Sequence, residues 1–407
     1  MTVQLLLYDA ADDLAPFLPF SISRPLGELR YGAALLRERW SARLDLPVAG
    51  YLTPHEHLRD YTEPGAPGVV AAPGEKHEPR LLLRSCFVPD GDLGPHAEPA
   101  DPVRFEDAAG ATVGYGVPRR AQWPGFAAAA GWPAARLAGK RLAGVWELVG
   151  DLTAALQADL ERLLAEQEAA SIPRGATVLG DPSLVRTAGA AVEPQVVLDT
   201  RTGPIVLAPG VEVRAFTRLV GPLAVAKGSR ILGGQISGSA IGPRCNVHGE
   251  VSATLFLGYA NKSHDGFLGH AVVGRWVNLG AGTINSNLKN TYGPVRVTLG
   301  GRRFETGLTF MGSLIGDHVK TAIGTMLPTG CVIGVGANLF GSTRPGSEVP
   351  PFAWGCDEPA AGRVLECGRF VEIAGRVMPR RDVVVDERTR RWLAAVWGAA
   401  TRQAPCG

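Results

Sequence analysis

The chain has 407 residues and a formal net charge of +2, from 41 basic and 39 acidic side chains. This length allows two or three domains with substantial cores, and the balanced charge argues against a dedicated nucleic-acid-binding protein. No window holds 18 uninterrupted apolar residues, and the amino terminus lacks a basic segment followed by an apolar one. We therefore expect a soluble, cytoplasmic protein with no membrane partner.

The six cysteines form no CxxC pair and follow no regular spacing. This distribution favours reduced thiols over a disulfide framework or a zinc site. The 52 glycines and 31 prolines stand among many Val, Ile and Leu residues. Such a composition indicates many short strands joined by tight turns.

Residues 1–150 have a mixed pattern that predicts an α/β layered domain. "VQLLLYDA" (Val3–Ala10) and "RLLLRSCFVP" (Arg80–Pro89) predict strands, and "ELRYGAALLRERW" (Glu28–Trp40) predicts an amphipathic helix. Apolar residues then recur at helical spacing over Val145–Ala170. They predict one helix that joins two domains, with the linker spanning 151–175.

From Ala176 the pattern becomes a six-residue period that continues to about residue 340, within a predicted domain of residues 176–350. Each hexad begins with an aliphatic residue that is followed by Gly or Ala in most cases, as in Val225–Arg230, Ile241–Asn246, Val273–Asn278, Leu279–Ile284 and Ile315–Lys320. This period predicts a left-handed parallel β-helix, in which aliphatic side chains stack inside a triangular prism and small residues take the corners. A β-sandwich would alternate by two instead.

The hexads stop after Pro350, and residues 351–407 form a tail. "ERTRRWLAAVWGAA" (Glu387–Ala400) predicts a terminal helix. We expect this helix to cover the open end of the prism, because an exposed coil edge invites pairing with other chains.

The stretch "NKSHDGFLGH" (Asn261–His270) interrupts the six-residue count. A loop histidine such as His264 can act as a general base near neutral pH. Asp265 or a backbone carbonyl could orient its ring, and a nearby lysine would attract an anion. The alternative is that His264 is an ordinary solvated histidine.

The sequence that follows, "FLGHAVVGRWVNLGAGTINSNLKNTYGPVRV" (Phe267–Val297), resembles the bifunctional N-acetylglucosamine-1-phosphate uridyltransferase/glucosamine-1-phosphate acetyltransferase family (GlmU-like), especially its Bacteroidetes-type and archaeal branches. "MGSLIGDHVKTAIGTMLPTG" (Met311–Gly330) is also similar to archaeal members. "SRPLGELRYG" (Ser23–Gly32) resembles the opening of Bacteroidetes-type sugar nucleotidyltransferases.

The resemblance implies that His264 deprotonates the amine of an amino-sugar 1-phosphate, which then attacks the thioester of acetyl-CoA. It also implies a homotrimer with sites between subunits. It assigns Phe267, Asn278, Asn287 and Arg296 to the acceptor sugar or its phosphate, and Ala281 and Ser313 to the CoA channel. Lys262 is a further candidate for substrate binding because it lies near the loop histidine in sequence, but the resemblance assigns it no role. Phe267 replaces a tyrosine of the family, and Arg296 replaces an archaeal lysine.

The amino-terminal domain lacks the glycine-rich loop with a lysine that cradles a nucleoside triphosphate in classical sugar nucleotidyltransferases. Arg24 and Arg30 are the only cations that follow the first strand closely. Asp9, Asp90 or Asp92 could hold Mg²⁺, although their spacing selects none of them. An active nucleotidyltransferase and a degenerate domain that keeps only the fold therefore both stay open.

The leading hypothesis is a transferase of nucleotide-sugar synthesis that feeds cell-envelope precursors such as UDP-N-acetylglucosamine. Its β-helix would acetylate an amino-sugar 1-phosphate from an acyl-CoA, and its amino-terminal domain would use a nucleoside triphosphate. One alternative retains a single activity, with the β-helix as a structural rod. Another is a non-catalytic hexapeptide scaffold or regulatory protein.

A zinc site between rods, as in carbonic-anhydrase-like β-helices, is a further alternative. The histidines it would use are His248, His264, His270 and His318. Their uneven placement across the predicted coils argues against a three-histidine site.

Overall fold

The computed structural model describes residues 3–73, 78–166, 172–187, 189–341, 344–356, 362–403 and 406. An amino-terminal α/β domain with a mixed sheet precedes a parallel β-solenoid and terminal helices. The predicted fold class is thus confirmed, and the left hand of the coil stays a prediction. The α-helices of the described residues are Ala11–Leu14, Leu36–Leu44, Phe126–Ala129, Glu147–Gly150, Leu152–Glu166, Cys367–Val377 and Glu387–Thr401.

The amino-terminal domain is built on a six-stranded sheet. Its strands lie in the spatial order Val48–Leu52, Gln4–Tyr8, Arg80–Arg84, Thr112–Val117, Val103–Glu106 and Ala134–Arg136. The first three are mutually parallel, and the fourth is antiparallel to both of its neighbours. Leu5 and Leu7 pack on one side of the sheet and Leu6 on the other. Burial on both sides explains why this strand has a continuous apolar sequence.

Two predictions for this domain were wrong in detail. The predicted helix over Glu28–Trp40 begins only at Leu36, because a two-stranded hairpin, Arg30–Tyr31 with Ala34–Leu35, precedes it. Gly32 has a φ of +61° in the hairpin turn, a conformation that side chains with a Cβ disfavour. The predicted strand Arg80–Pro89 is divided by a turn, and its second part, Phe87–Pro89, pairs with Gly139–Arg141.

The predicted linker helix is also interrupted, at Asp151, between the helices Glu147–Gly150 and Leu152–Glu166. Its expected continuation to Ala170 lies outside the described residues. Part of this helix packs against the solenoid, where Leu152 and Leu156 share one apolar cluster with Leu255.

The solenoid has three faces, each a stack of short parallel strands. Face 1 comprises Val185–Arg186, Ile205–Leu207, Leu223–Val225, Ala240–Ile241, Leu255–Phe256, Val272–Val273, Leu314–Ile315, Val332–Ile333 and Glu348–Val349. Face 2 comprises Ala191–Val192, Glu212–Val213, the first parts of Arg230–Ser237 and Asn246–Ser252, then Asn261–Lys262, Lys320–Thr321 and Asn338–Leu339. Face 3 comprises Thr177–Leu179, Val197–Asp199, Thr217–Val220, the second parts of Arg230–Ser237 and Asn246–Ser252, then Phe267–Gly269, Ile284–Asn285 and Met326–Leu327.

Aliphatic side chains fill the prism in columns, as the six-residue period predicts. On face 1 the register stacks Val225, Ile241, Phe256, Val273 and Ile315, each one coil beyond the last. All five are buried. Since each coil covers its neighbour, the core is continuous although no coil has a core of its own.

The solenoid is interrupted between residues 286 and 312. This excursion carries an antiparallel hairpin, Arg296–Leu299 with Arg302–Glu305. Val297 and Leu299 of the hairpin are buried with Phe17 of the amino-terminal domain. The excursion therefore helps to join the two domains.

Buried charges also join the domains. The Arg24 guanidinium lies 2.6 Å from Asp317 Oδ2 and 3.1 Å from Glu63 Oε2, and none of these side chains is more than 2% exposed. Arg275 of the solenoid pairs with Glu63 and lies 3.8 Å from Glu28. We call these five residues the interdomain ion network. Acids and arginines nearly balance in it, as burial of charge requires.

The last helix agrees with its prediction in extent, since it runs from Glu387 to Thr401. It packs with Cys367–Val377, with Tyr61 of the amino-terminal domain and with Trp276 of the solenoid. The terminal helices thus lie along a flank of the prism, between the two domains. The sequence analysis had instead placed the last helix over the open end of the prism.

The expectation of six reduced cysteines was wrong for one pair. Cys367 and Cys406 form a disulfide across a Cα–Cα distance of 5.7 Å. They are 39 residues apart, and the helical hairpin between them brings them together, which cysteine spacing alone does not reveal. Cys86, Cys245 and Cys331 are buried thiols.

Within the described ranges, no helix has both the length and the apolarity that a membrane span requires.

Candidate functional site

A cleft of about 730 Å³ in the amino-terminal domain lies at the carboxyl ends of its parallel strands. Asp9 directly follows the first strand, Thr53 follows the second, and Arg84 ends the third. This edge of an open α/β sheet is where ligands commonly bind. Phe126, which is 41% exposed, contributes an aromatic wall with its ring centroid 4.9 Å from that of Tyr8.

Two arginines line the cleft. Arg84 is anchored by Asp13, with 2.6 Å between Nε and Oδ2, and by Asp12, with 2.8 Å between Nη2 and Oδ1. Arg59 is exposed at the rim. The sequence prediction missed both arginines. For Arg84 the available signal was its position at the end of a predicted strand, at the sheet edge that Asp9 also occupies.

Asp9 is the predicted metal ligand that does lie in the cleft. Its carboxylate accepts the Leu26 N–H at 3.3 Å and is 5% exposed. Burial raises the pKa of Asp9 to about 7, because the charged form is poorly hydrated there. A divalent cation would stabilise that charge, and Glu56 lines the same cleft. Mg²⁺ in nucleotide sites needs only one or two carboxylates besides phosphate oxygens, so these residues fit the ion.

The structure places the other predicted residues of this half outside the cleft. Arg24 belongs to the interdomain ion network, and Arg30 is buried in the hairpin, where it donates to the Ala33 carbonyl. Asp90 lies in an exposed turn, where its carbonyl accepts from Arg43. Among the residues the structure describes, no cluster of three or more His, Cys, Asp or Glu side chains could hold a metal.

The interrupting stretch forms a loop at the corner between faces 2 and 3. Lys262 anchors it from inside, because its ammonium donates to the carbonyl oxygens of His248 and His264 at 2.9 and 2.8 Å. Lys262 is 2% exposed, and burial lowers its pKa to about 8. His264 and Asp265 are exposed, and Asp265 Oδ1 lies 3.3 Å from His248 Nδ1. The loop residues His264 and Asp265 thus lie beside a second imidazole, that of His248 on the preceding coil.

Phe267 and Asn287 meet beside this loop. A Cβ on Gly269 would lie 2.4 Å from the Phe267 ring and 2.9 Å from Asn287 Nδ2, so only glycine fits beneath them. Asn287 Nδ2 is 2.9 Å from His270 Nδ1, and His270 stacks on Phe310. The sequence analysis had assigned His248, His270 and Phe310 no role in acetyl transfer.

Other predicted residues lie apart from that group. Asn278 is on face 2, where its Oδ1 accepts from Asn261 at 2.9 Å. Ala281 is one coil beyond the loop, since the Gly282 N–H donates to the Asp265 carbonyl. Ser313 is fully buried, and Arg296 is paired with Glu305 on the exposed hairpin.

The four histidines of the zinc alternative are not gathered into one site. His318 is buried against Trp276 and Phe370 at the corner between faces 1 and 2. His248 and His264 are at the loop, and His270 pairs with Asn287.

Together these features define a two-domain protein, a sheet domain with a strand-end cleft followed by a solenoid with a polar loop. Residues 5–101 match the family model described as sugar nucleotidyl transferase. That range contains Asp9, Arg59 and Arg84 of the cleft.

Several curated proteins are similar to parts of the chain. A bifunctional sugar-1-phosphate nucleotidylyltransferase/acetyltransferase of Sulfurisphaera tokodaii is 32% identical over 91 residues, 22% of this chain and 23% of that protein. The bifunctional protein GlmU of Methanocaldococcus jannaschii is 31% identical over 85 residues, 21% of each chain. That of Methanococcus maripaludis is 30% identical over 95 residues, 22% of this chain and 23% of the relative. The resemblance to GlmU-like proteins is confirmed, and the matches span less than a quarter of these relatives' length.

Proposed function

We propose that the protein is a transferase of nucleotide-sugar biosynthesis, in which the amino-terminal cleft transfers a nucleotidyl group to a sugar 1-phosphate. One observation carries this proposal. The segment that matches the sugar nucleotidyl transferase model, residues 5–101, supplies most of the lining of the cleft at the strand ends.

The cleft residues suit this chemistry. An oxygen of the sugar phosphate attacks the α-phosphorus of a nucleoside triphosphate, the new P–O bond forms, and pyrophosphate leaves. Arg59 and Arg84 would offset the charge that develops on the leaving group. Phe126 and Tyr8 offer an aromatic surface for a base or sugar ring. Asp9 and Glu56 would hold Mg²⁺, which neutralises phosphate charge when bound.

An assay of pyrophosphate release tests the nucleotidyl transfer proposed for the amino-terminal domain. The intact protein would be assayed with a panel of nucleoside triphosphates and sugar 1-phosphates, with Mg²⁺ present. Arg59→Gln should lower kcat/KM about 100-fold, the size expected when one group that stabilises transition-state charge is lost. Arg43→Gln, in an arginine outside the cleft, is the matched control and should retain activity. No pyrophosphate from any pair would contradict the proposal.

We also propose that the solenoid loop N-acetylates an amino-sugar 1-phosphate, with His264 as the base. The amine nitrogen attacks the thioester carbonyl of acetyl-CoA, the C–S bond breaks, and CoA leaves as its thiol. His264 takes the amine proton and passes it to the departing thiolate. Support comes from the loop geometry, in which His264 and Asp265 are exposed on an anchored turn beside Phe267 and Asn287.

A homotrimer is part of this proposal. Large apolar side chains are exposed around face 3 near the loop, namely Ile284, Phe310, Ile323 and Met326. They suit contact with a second copy, which would complete the acceptor and CoA sites with Asn278, Ala281 and Arg296. Ser313 is fully buried within the single chain and is left out of these sites.

Thiol release from acetyl-CoA with glucosamine 1-phosphate or galactosamine 1-phosphate tests the acetyl transfer. His264→Ala should lower the rate about 10²- to 10⁴-fold, the usual contribution of general base catalysis. His96→Ala, in a histidine of the other domain, is the control. If the trimeric protein releases no thiol with either sugar, the assignment fails.

One observation favours a protein with a single activity. Arg24, from the segment that resembles the opening of nucleotidyltransferases, is used in the interdomain ion network. If the cleft proves inactive, the amino-terminal domain is a structural partner of the solenoid.

A further inference from the structure

A second polar cavity, of about 290 Å³, lies where face 2 meets the turn after helix Cys367–Val377. Asn246, Asn261, Asn278 and Lys320 line it from the solenoid, and Arg380 and Arg381 from the turn, with Tyr259 and Trp276 as a stacked aromatic wall. His264, Asp265, Phe267 and Asn287 do not line it. We call this space the face 2 cavity.

Three cations converge on the face 2 cavity. Lys320 donates to the His318 carbonyl at 3.0 Å, and burial lowers the pKa of its ammonium to about 8. Arg381 donates to the Arg244 carbonyl at 3.3 Å, and burial lowers its pKa as well. Within the described part of the chain, no carboxylate forms an ion pair with Lys320, Arg380 or Arg381. Lys320 and Arg381 are half-buried and Arg380 is exposed, so an anion in the cavity would offset their converging positive charge.

The asparagines add oriented donors. Asn246 Nδ2 donates to Asn261 Oδ1 at 3.3 Å, and Asn261 Nδ2 donates to Asn278 Oδ1 at 2.9 Å. Each amide therefore passes its hydrogen bond to the next coil, and the Nδ2 group of Asn278 ends the chain. Asn278 is bridged by its backbone to Lys320. Aligned amides strengthen one another, so the last N–H group is a good donor to an anion or a hydroxyl.

We propose that the face 2 cavity binds a phosphate monoester carried by a hydroxyl-bearing small molecule. Lys320, Arg380 and Arg381 contact the phosphate oxygens, and Asn278 contacts a hydroxyl or a remaining oxygen. Either a sugar phosphate or the 3′-phosphate of CoA supplies this chemistry. Asn278 is shared with the acceptor site proposed above, but binding in the cavity requires neither of the proposed reactions.

Calorimetric titration of the full chain tests the site, with inorganic phosphate, glucose 1-phosphate, glucose, CoA and dephospho-CoA as ligands. Lys320→Met should weaken phosphate-monoester binding at least about tenfold, as should a double variant, Arg380→Gln with Arg381→Gln. The double variant changes only the turn, so it keeps the test valid if the Lys320 variant folds poorly. Lys227→Met, an exposed lysine outside the cavity, is the matched control and should bind normally.

A local measurement separates this cavity from the amino-terminal cleft. Acetylation of lysines by acetic anhydride, followed by peptide mass spectrometry, should show that phosphate protects Lys320 and leaves Lys227 unprotected. Tighter binding of glucose 1-phosphate than of CoA identifies a sugar phosphate, and tighter binding of CoA than of dephospho-CoA identifies the nucleotide source. Equal affinities in wild type and both cavity variants, with no protection of Lys320, would overturn the proposal.

Discussion

The two domains place their polar groups in different ways. The amino-terminal domain gathers Asp9, Arg59 and Arg84 at one edge of a sheet, around a cleft. The solenoid fills its interior with stacked aliphatic side chains and carries polar groups on its corners and loops. In a repeat fold, we therefore expect a site where the repeat is interrupted, as at residues 262–267.

The interface between the domains differs from both domains because its charged groups are buried. Arg24, Glu63, Asp317 and Arg275 are fully or almost fully buried there, with apolar clusters on either side. Such charges fix one relative orientation, because any displacement leaves a charge without its partner. The same segment also serves the cleft, since the Leu26 N–H donates to Asp9.

Removing one charge of the interface should have the largest effect on stability. Asp317→Ala leaves Arg24 with a single acidic partner, and we expect the free energy of unfolding to fall by about 3–5 kcal/mol. Urea unfolding followed by fluorescence measures it. Asp382→Ala is the control, because it removes an exposed pair with Arg244. Similar losses in both variants would show that burial of the network does not matter.

The prism core should respond nearly as strongly. Ile236 is fully buried on face 3, stacked between Leu219 and Val251, so Ile236→Ala should cost about 2–5 kcal/mol through lost contacts and a cavity. Phe216 is 78% exposed, and Phe216→Ala should change stability by less than about 0.5 kcal/mol. Thermal unfolding of both variants measures the contrast. A negligible effect at Ile236 would contradict the stacked core.

His318 should make stability depend on pH where the terminal helices pack against the solenoid. It faces Trp276 and Phe370, with Lys320, Glu63 and Arg24 nearby, and burial lowers its pKa from 6.5 to about 3.

The unfolded chain binds this proton below about pH 6.5 and the folded chain does not, so the contribution of His318 to stability is lost as pH falls from about 6.5 towards 3. His318→Phe should flatten the dependence of the melting temperature on pH in that window. An unchanged slope would mean that another group titrates there.

The smallest effect is expected at the surface. Arg391 Nε lies 3.0 Å from Asp60 Oδ2, and the Arg391 side chain is 53% exposed. Arg391→Ala should lower the free energy of unfolding by at most about 1 kcal/mol, since exposed ion pairs are well screened. Denaturant titrations at low and high salt measure it. A larger loss would show that this contact holds the terminal helix on the amino-terminal domain.

The sequence predicts the solenoid well because each hexad repeats the same physical demand, an aliphatic residue inside and a small one after it. It also locates the loop around His264, where the six-residue pattern is interrupted. It does not predict the role of Arg24, whose partner Asp317 is 293 residues away. Nor does it predict the hairpin before Leu36, because "RYGAALL" also fits helical spacing and Gly32 decides between the two.

We propose that nucleotidyl transfer and acetyl transfer occur at separate sites, one in each domain. The most direct test measures pyrophosphate release and thiol release in the same preparations of wild type, Arg59→Gln and His264→Ala. We expect Arg59→Gln to lose pyrophosphate release and keep thiol release, and His264→Ala to show the reverse. Loss of both reactions in either folded variant, or loss of neither in both, would contradict the claim.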